Sequence, residues 1–391
     1  MAKNKREFDL VVYGATGFTG RLACEYLCHH ADATKLKWAI AGRDSAKLAS
    51  LLDDLNALNG VSSPQEIVVA DSSDWDSLES MTSQARVVLT TVGPYMEYGE
   101  PLVEACVAQG TDYIDITGEP AFVRATRDQF HHQAEESGAL IISCCGFDSI
   151  PADLGVLFVR QLLPANESVR VRSYVKAKGS PSGGTWASII RIMSDGDARR
   201  APSSSRSTGA RSARVPAKPR LHRCEERGSW VFPMPVVDPA IVRHSARTRG
   251  DYGPDFHYEQ YYETRSLWGV GALAVGAAGM FLMSQFKPTR DFLLNQKPSG
   301  TGPSEAQRAD GFFRVDLIAE SGDKRVEARV SGGDPGYTET AKMVVESALT
   351  LACDRAKLRF QGGVLTPASA LGAVLVERLK KAGISFEQTA G

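Results

Sequence analysis

Along the first 155 residues two hydrophobic patterns alternate. Short apolar runs of strand length, "FDLVVYG", "KWAIAGR", "EIVVAD", "RVVLTTVGPY", "DYIDITGE" and "ALIISCCGFD", are separated by stretches with apolar residues at helical spacing, such as "GRLACEYLCHHA" and "PLVEACVAQG". Strands that are apolar along their length and regularly followed by helices must be covered on both faces. That implies crossover units and a parallel sheet. The expected fold class is therefore α/β, with a doubly wound Rossmann-type sheet over residues 1–155.

The pattern changes after about Gly155. "SVRVRSYVKAKG" alternates Val with Arg and Lys, the period of a strand with one wet face, and "FFRVDLIAESGDKRVEARVSG" reads as a hairpin of two such strands. Residues 156–337 are thus expected to form an α+β domain with an antiparallel sheet. Residues 338–391 return to helical spacing in "TAKMVVESALTLACDRA" and "TPASALGAVLVERLKKAG", with Thr338 as the expected N-cap. Two stretches interrupt the second domain. Residues 198–223 are rich in Arg, Ser and Pro and read as a solvated loop, with lipid phosphates as the alternative contact. Residues 267–283, "LWGVGALAVGAAGMFLM", carry no charge; at ~1.5 Å per residue they span about 25 Å, slightly short of a bilayer core. A buried helix and a membrane-interface helix fit this stretch equally well.

Composition narrows the partners. The chain has 391 residues, 43% hydrophobic and 23% charged, and a formal net charge of -1. No global field draws it to nucleic acid or to an anionic surface. Its seven cysteines form no C-x-x-C pair, no H-E-x-x-H is present, and "MAKNKREFD" does not look like a signal peptide. No metal site is expected, and a reducing, cytoplasmic setting is.

The chemistry starts at "VVYGATGFTGRLACEYL". A strand that turns sharply into a helix leaves the first helical N–H groups without partners, ready for an anion. Gly14 permits the turn, Gly17 leaves room for a pyrophosphate, and Gly20 lets the helix sit close to the sheet. With Ala15, Thr16, Phe18 and Thr19 these residues form the expected dinucleotide loop. The second strand ends in Gly42-Arg43, a guanidinium suited to a 2′-phosphate, although the adjacent Asp44 leaves a ribose hydroxyl open as the alternative. NADP is the expected cofactor, and NAD the weaker candidate. Asp71, at the end of the third strand, would meet the adenine edge, while Val92, Gly93 and Pro94 would lie by the nicotinamide. Tyr95, Asp148 and Ser149, polar groups at strand ends, are the catalytic candidates. Tyr174 and Lys178 match a Y-x-x-x-K spacing but fall in an alternating strand, about 13 Å apart, and are expected to be coincidental. Cys144 and Cys145 are expected to be structural.

With these motifs, together with "YGEPLVEACVAQGTDYIDITGE", "GFDSIPADLG", "SGGTWASI", "GTGPSEAQRADGFFRV" and "GDPGYTETAKMVVESALTLA", the chain resembles the saccharopine dehydrogenase-like oxidoreductases nearly end to end. It is especially similar to the branch containing bacterial trans-acting enoyl reductases. The resemblance implies a Rossmann domain, an inserted α+β domain for substrate binding and dimerisation, and terminal helices packing back on the first domain. It implies nicotinamide chemistry on a small apolar lipid or polyketide-derived substrate, reducing an enoyl C=C or a C=O. Because eukaryotic members sit on lipid droplets, it also suggests a membrane or droplet surface for residues 267–283. Saccharopine reductases themselves carry a G-L-D-P-G-like stretch where this chain has Gly146-Phe147-Asp148-Ser149-Ile150-Pro151. An amino-acid-type dehydrogenase, relying on Arg172, Lys176 and Lys178, is therefore the second reading, and a non-catalytic scaffold the third.

Overall fold

The computed structural model describes residues 6–179, 186, 189–190, 193–194, 220–233, 236–264, 266–296 and 302–391. Most of the basic stretch at 198–223 lies outside the described residues. The first sheet contains β1 (Phe8–Tyr13), β2 (Trp38–Gly42), β3 (Glu66–Val69), β4 (Ala85–Thr90), β5 (Asp112–Asp115), β6 (Leu140–Ile142) and β13 (Gly363–Leu365), in the order β13-β6-β5-β4-β1-β2-β3. Every pair in it is parallel. Leu10, Val11 and Val12 at its centre are 0% exposed, as a sheet covered on both faces requires. The crossover helices are α1 (Phe18–His29), α2 (Ser45–Asn56), α3 (Trp75–Gln84), α4 (Tyr95–Gln109) and α5 (Pro120–Ser137), and α6 (Ile150–Gln161) leads out of the sheet. The chain runs from β1 toward β3 on one side and from β4 toward β6 on the other. The loops after β1 and β4 therefore diverge and leave a crevice between them.

The second sheet runs β14-β12-β11-β7-β10-β9-β8, with β7 (Val169–Lys178), β8 (His222–Cys224), β9 (Ser229–Phe232), β10 (Phe256–Thr264), β11 (Phe312–Ser321), β12 (Lys324–Gly332) and β14 (Ser385–Ala390). It is mixed: β7 and β10 pair parallel and the remaining pairs are antiparallel. Val169, Val171, Ser173 and Val175 turn inward against α6, and Gly155 lets that helix approach closely. A Cβ there would stand 3.0 Å from Val330 and 3.1 Å from Leu317. The outer face is ionic. Asp316 meets Arg227, Arg314 (3.0 Å) and Arg329 (2.7 Å), and Arg227 also lies over the Tyr174 ring.

Among the described residues the second unit also holds α7 (Asp238–Arg249), α8 (Leu267–Gln285) and α9 (Lys287–Asn295), and the short α10 (Glu305–Ala309) precedes β11. The last segment comprises α11 (Thr338–Asp354), β13, α12 (Pro367–Ala370), α13 (Gly372–Lys381) and β14. It gives one strand to each sheet besides packing α11 against α1, β4 and β5. Thr338 is the first helical residue of α11, not its cap. Asp334 accepts the N–H groups of Tyr337 and Thr338, so the capping carboxylate comes from four residues upstream of the expected position.

Candidate functional site

Gly14 has φ +85°, which an L side chain rarely adopts, and its N–H donates to Ala41 O at 2.9 Å, so the turn is anchored to β2. Gly20 packs directly on that turn, where a Cβ would come within 2.2 Å of Gly14 O. Around Gly17 the space is open: Gly14 O is the single atom a Cβ would meet, at 3.2 Å. No side chain caps α1 at Gly17, so its first N–H groups face that opening. An uncapped helix start beneath a glycine-lined space fits a pyrophosphate, which would take its hydrogen bonds from the backbone. Thr16 is exposed, Ala15 is buried and Thr19 lies between. Phe18 points away from the opening, into Tyr337 (ring centroids 5.0 Å apart) and under Arg308, so it offers this site its backbone only.

At the end of β2, Arg43 is exposed, whereas Asp44 is committed elsewhere. The Asp44 carboxylate caps α2 by accepting Lys47 N–H at 3.0 Å, and that hydrogen bond holds its pKa below the ordinary range. The acidic side chain that left a ribose hydroxyl open thus serves the helix, and the guanidinium is the group left facing solvent. Asp71 accepts from Ser73 N–H and Ser73 Oγ at 2.9 and 2.7 Å, which with the nearby Arg43 keeps it ionised.

After β4, Val92 N–H donates to Thr90 Oγ1, and a cis Gly93–Pro94 bond leads into α4. Glu119 reaches across from the loop after β5 and accepts the N–H groups of Tyr95 and Met96 at 3.0 Å each. The Tyr95 side chain turns down beside Phe122; its hydroxyl donates to Thr90 O at 3.3 Å, and burial pushes its pKa well up. Asp115, at the end of β5, is a second organiser. It accepts from Thr117 N, Cys144 N, Ser143 Oγ and Tyr113 Oη, tying the loops after β5 and β6 together. Asp115 and Glu119 lie within "DYIDITGE", but no spacing marked their roles. Their signal was position alone, an acid at the last residue of a strand or at a helix entry.

Asp148 lies on the turn between β6 and α6, against the loop after β5, where a Gly118 Cβ would stand 2.8 Å from its Oδ2. Asp148 is exposed at the surface. Desolvation raises its pKa, and no ion pair or hydrogen bond to it occurs among the described residues. Ser149, its neighbour, is 0% exposed, and its Oγ lies beneath the surface without a partner among the described residues. From the second unit Asp238, at the start of α7, accepts from Gln260 Nε2 at 2.5 Å, and Tyr258 Oη donates to Gln260 Oε1 at 2.6 Å. Asp238 and Asp148 raise the pKa of Tyr262 after the larger effect of burial. Cys144, in the loop after β6, packs with Val237 and Ile241 at the start of α7, so the two units adjoin here.

Tyr174 and Lys178 both lie on β7, the arrangement that makes their spacing coincidental. Arg172 and Lys178 are already paired, with Glu320 at 2.7 Å and Asp310 at 2.5 Å. Burial pushes the thiols of Cys144 and Cys145 well up, so both stay protonated and inert. No three His, Cys, Asp or Glu among the described residues could hold a metal ion. A surface cavity of about 300 Å³ beside Leu22, Tyr26 and Ala341 lies on the flank of α1 and includes none of the groups above.

Comparison with known proteins gives the family. Residues 10–142 match the family described as the saccharopine dehydrogenase NADP binding domain. A Mycobacterium tuberculosis protein named as a trans-acting enoyl reductase is 38% identical over 100% of this chain and 99% of its own. The trans-acting enoyl reductase of Mycobacterium leprae is 35% identical over the same shares. Apo saccharopine dehydrogenase (L-Glu forming) from Saccharomyces cerevisiae superposes with a TM-score of 0.55 over 97% of this chain and 99% of that one. At 12% identity that likeness speaks for the fold alone.

Proposed function

The chain belongs to the saccharopine dehydrogenase-like oxidoreductases, and from that premise we propose that it is an NADPH-dependent reductase of an enoyl C=C on an apolar, lipid or polyketide-derived acyl group. The observation that carries the reading is the end-to-end relation to proteins named trans-acting enoyl reductases. The residues proposed to hold the cofactor are Gly14, Ala15, Thr16, Gly17, Phe18, Thr19 and Gly20 through their backbone, Arg43 at the 2′-phosphate, Asp71 at the adenine end, and Val92, Gly93 and Pro94 beside the nicotinamide. Asp148 is the proposed acid among the three catalytic candidates. The hydroxyls of Tyr95 and Ser149 are turned into the protein and are proposed to shape the site. An amino-acid-type substrate is disfavoured, because two of its three candidate cations, Arg172 and Lys178, are already engaged by carboxylates. Oxidation of NADPH, followed by absorbance against α,β-unsaturated acyl thioesters and against amino- and keto-acid pairs, tests this. Turnover with the thioesters is expected, and turnover with the amino-acid pairs alone would overturn it.

The finer placement rests on α8. Its nineteen residues would span about 28 Å, and Trp268, Val275 and Leu282 are 90%, 73% and 61% exposed. We infer that this helix lies along a membrane or lipid-droplet surface while the body of the protein stays in the cytoplasm. Flotation with neutral liposomes tests it: Trp268→Ser with Val275→Ser should leave the lipid fraction, and equal flotation of both proteins would refute it. The homodimer expected of residues 156–337 is proposed on the same footing, and sedimentation at micromolar concentration reads it.

A further inference from the structure

Two helices begin at the crevice, α1 after β1 and α4 after β4, and their first turns differ. At α1 no side chain caps the helix, and the first N–H groups face the open space at Gly17. At α4 the first four N–H groups are all taken. Glu97 and Tyr98 donate to Pro94 O at 3.2 and 3.1 Å, while Tyr95 and Met96 donate to Glu119 Oε1 and Oε2 at 3.0 Å each. Glu119 stands at the N-cap position of α5, yet its side chain does not cap that helix. It serves the neighbouring helix instead. A carboxylate at a helix start supplies the negative charge that a phosphate would otherwise bring there.

Glu119 is itself held from behind. Its N–H donates to Thr117 Oγ1 at 3.1 Å, and Thr117 N–H donates to Asp115 Oδ1 at 2.9 Å. Asp115 also accepts Cys144 N–H at 2.9 Å, so the contacts run from the loop after β6, through the loop after β5, to the start of α4. Asp115 and Thr117 are 0% exposed and Glu119 5%, so water does not compete for these bonds. Tyr95 adds a second tie: its Oη accepts Ile116 N–H at 3.4 Å, and its ring lies beside Phe122 of α5. Gly99 lets the two helices close up there, since a Cβ would stand 2.6 Å from the Phe122 ring. Val92, Gly93 and Pro94 thus run into a turn that a different loop holds in place. Such a loop keeps its shape before a ligand arrives.

We propose that Glu119 is the positioning residue for the nicotinamide end of this site, an assignment that rests on the dinucleotide reading above. By filling the start of α4 with a carboxylate of the chain's own, it closes that helix to phosphate and leaves α1 as the anion-binding start. A dinucleotide is thereby seated in one direction, with its phosphates at Gly17 and Arg43 and its uncharged reduced ring against Val92, Gly93 and Pro94. Glu119 touches no reacting atom in this assignment; it acts through the two N–H groups it holds. Glu119→Gln keeps one acceptor oxygen and turns an NH₂ group toward the other N–H, so one donor in an enclosed turn loses its partner. The turn at Pro94 and Tyr95 must then shift. A ligand is affected where it lies against that turn, and not where it meets α1 and Arg43.

The test uses the full chain with two ligands, NADPH and 2′,5′-ADP, which has the 2′- and 5′-phosphates but no nicotinamide. In Glu119→Gln the Kd for NADPH, read by fluorescence, should rise by about 5- to 100-fold, while that for 2′,5′-ADP, read by calorimetry, changes by less than about twofold. The fluorescence lifetime of bound NADPH should move toward that of the free molecule, because the ring is held less firmly. Thr117→Val removes the hydroxyl behind Glu119 at nearly unchanged volume. It should give the same split by a smaller factor, which keeps the assignment open to test should the first variant fold poorly. Equal loss of both ligands, or of neither, overturns the proposal, since a merely structural role would not separate them. A wild-type protein that binds neither ligand instead overturns the dinucleotide reading beneath it, and the proposal falls with it.

Discussion

The two sheets contribute to the site in opposite currencies. The parallel sheet is dry at its centre, and what it offers a ligand is mostly backbone: an anchored turn, an open glycine and the uncapped start of α1. The mixed sheet is ionic on one face and apolar on the other except along β10, where Gln260 meets Asp238. It offers side chains, the Gln260–Asp238 pair inward and the Asp316 cluster outward. A backbone site is fixed by the fold and tolerates little added volume. A side-chain site depends on how each polar group is paired, and fails when one partner is removed.

The largest effect should follow from breaking that pairing. Asp316→Ala leaves Arg329 without its carboxylate and Arg227 and Arg314 with Glu263 alone, and is expected to cost about 3 kcal/mol in urea unfolding while NADPH binding to the surviving fold is unchanged. On the backbone side, Gly20→Ala puts a Cβ within 2.2 Å of Gly14 O, and the helix must shift by more than a flexible side chain could absorb. The expected cost is about 1–3 kcal/mol, read as an NADPH affinity lowered by about tenfold or more in a fluorescence titration. If Gly20→Ala binds normally and Asp316→Ala does not, the division between the sheets is wrong.

The smallest effect sharpens the boundary between them. Asp153 sits on α6, which leads from β6 onto the second sheet, and burial pushes its carboxyl up to about 6 although it accepts Ala368 N–H at 2.8 Å. Its unfolded pKa is about 3.9, so the native form binds the extra proton. The sign follows: Asp153 destabilises the native state above pH ~6, and that penalty is relieved as pH falls toward ~4. Asp153→Asn keeps an oxygen for Ala368. Its melting temperature should exceed that of the wild type at pH ~8 and converge with it by pH ~4. A constant difference across that range would remove the titration from the account.

The parallel sheet was largely legible because its strands are continuous apolar runs and its loop has glycines at three fixed positions. β13 was not, since "GVL" is three residues long and pairs with β6 more than two hundred residues away. β14 was hidden by its polarity: "SFEQTA" buries Phe386 and becomes a strand only because β12 has a free edge. Arg43 and the glycine loop could be found from spacing. The Gln260–Asp238 contact could not, because only the sheet decides which residues of "YEQYYET" face α7. The capping role of Asp44 was equally hidden, since an acid after a strand serves a ribose or a helix depending on where the next helix begins.

The central claim is that the glycine loop and Arg43 select a phosphorylated dinucleotide. A fluorescence titration of wild type and Arg43→Ala with NADPH and NADH tests it most directly. A guanidinium–phosphate contact is worth about 1.5–3 kcal/mol, so Arg43→Ala should weaken NADPH by roughly ten- to a hundredfold and leave NADH nearly unchanged. Equal affinity of wild type for the two dinucleotides, or equal loss of both in the variant, would contradict it.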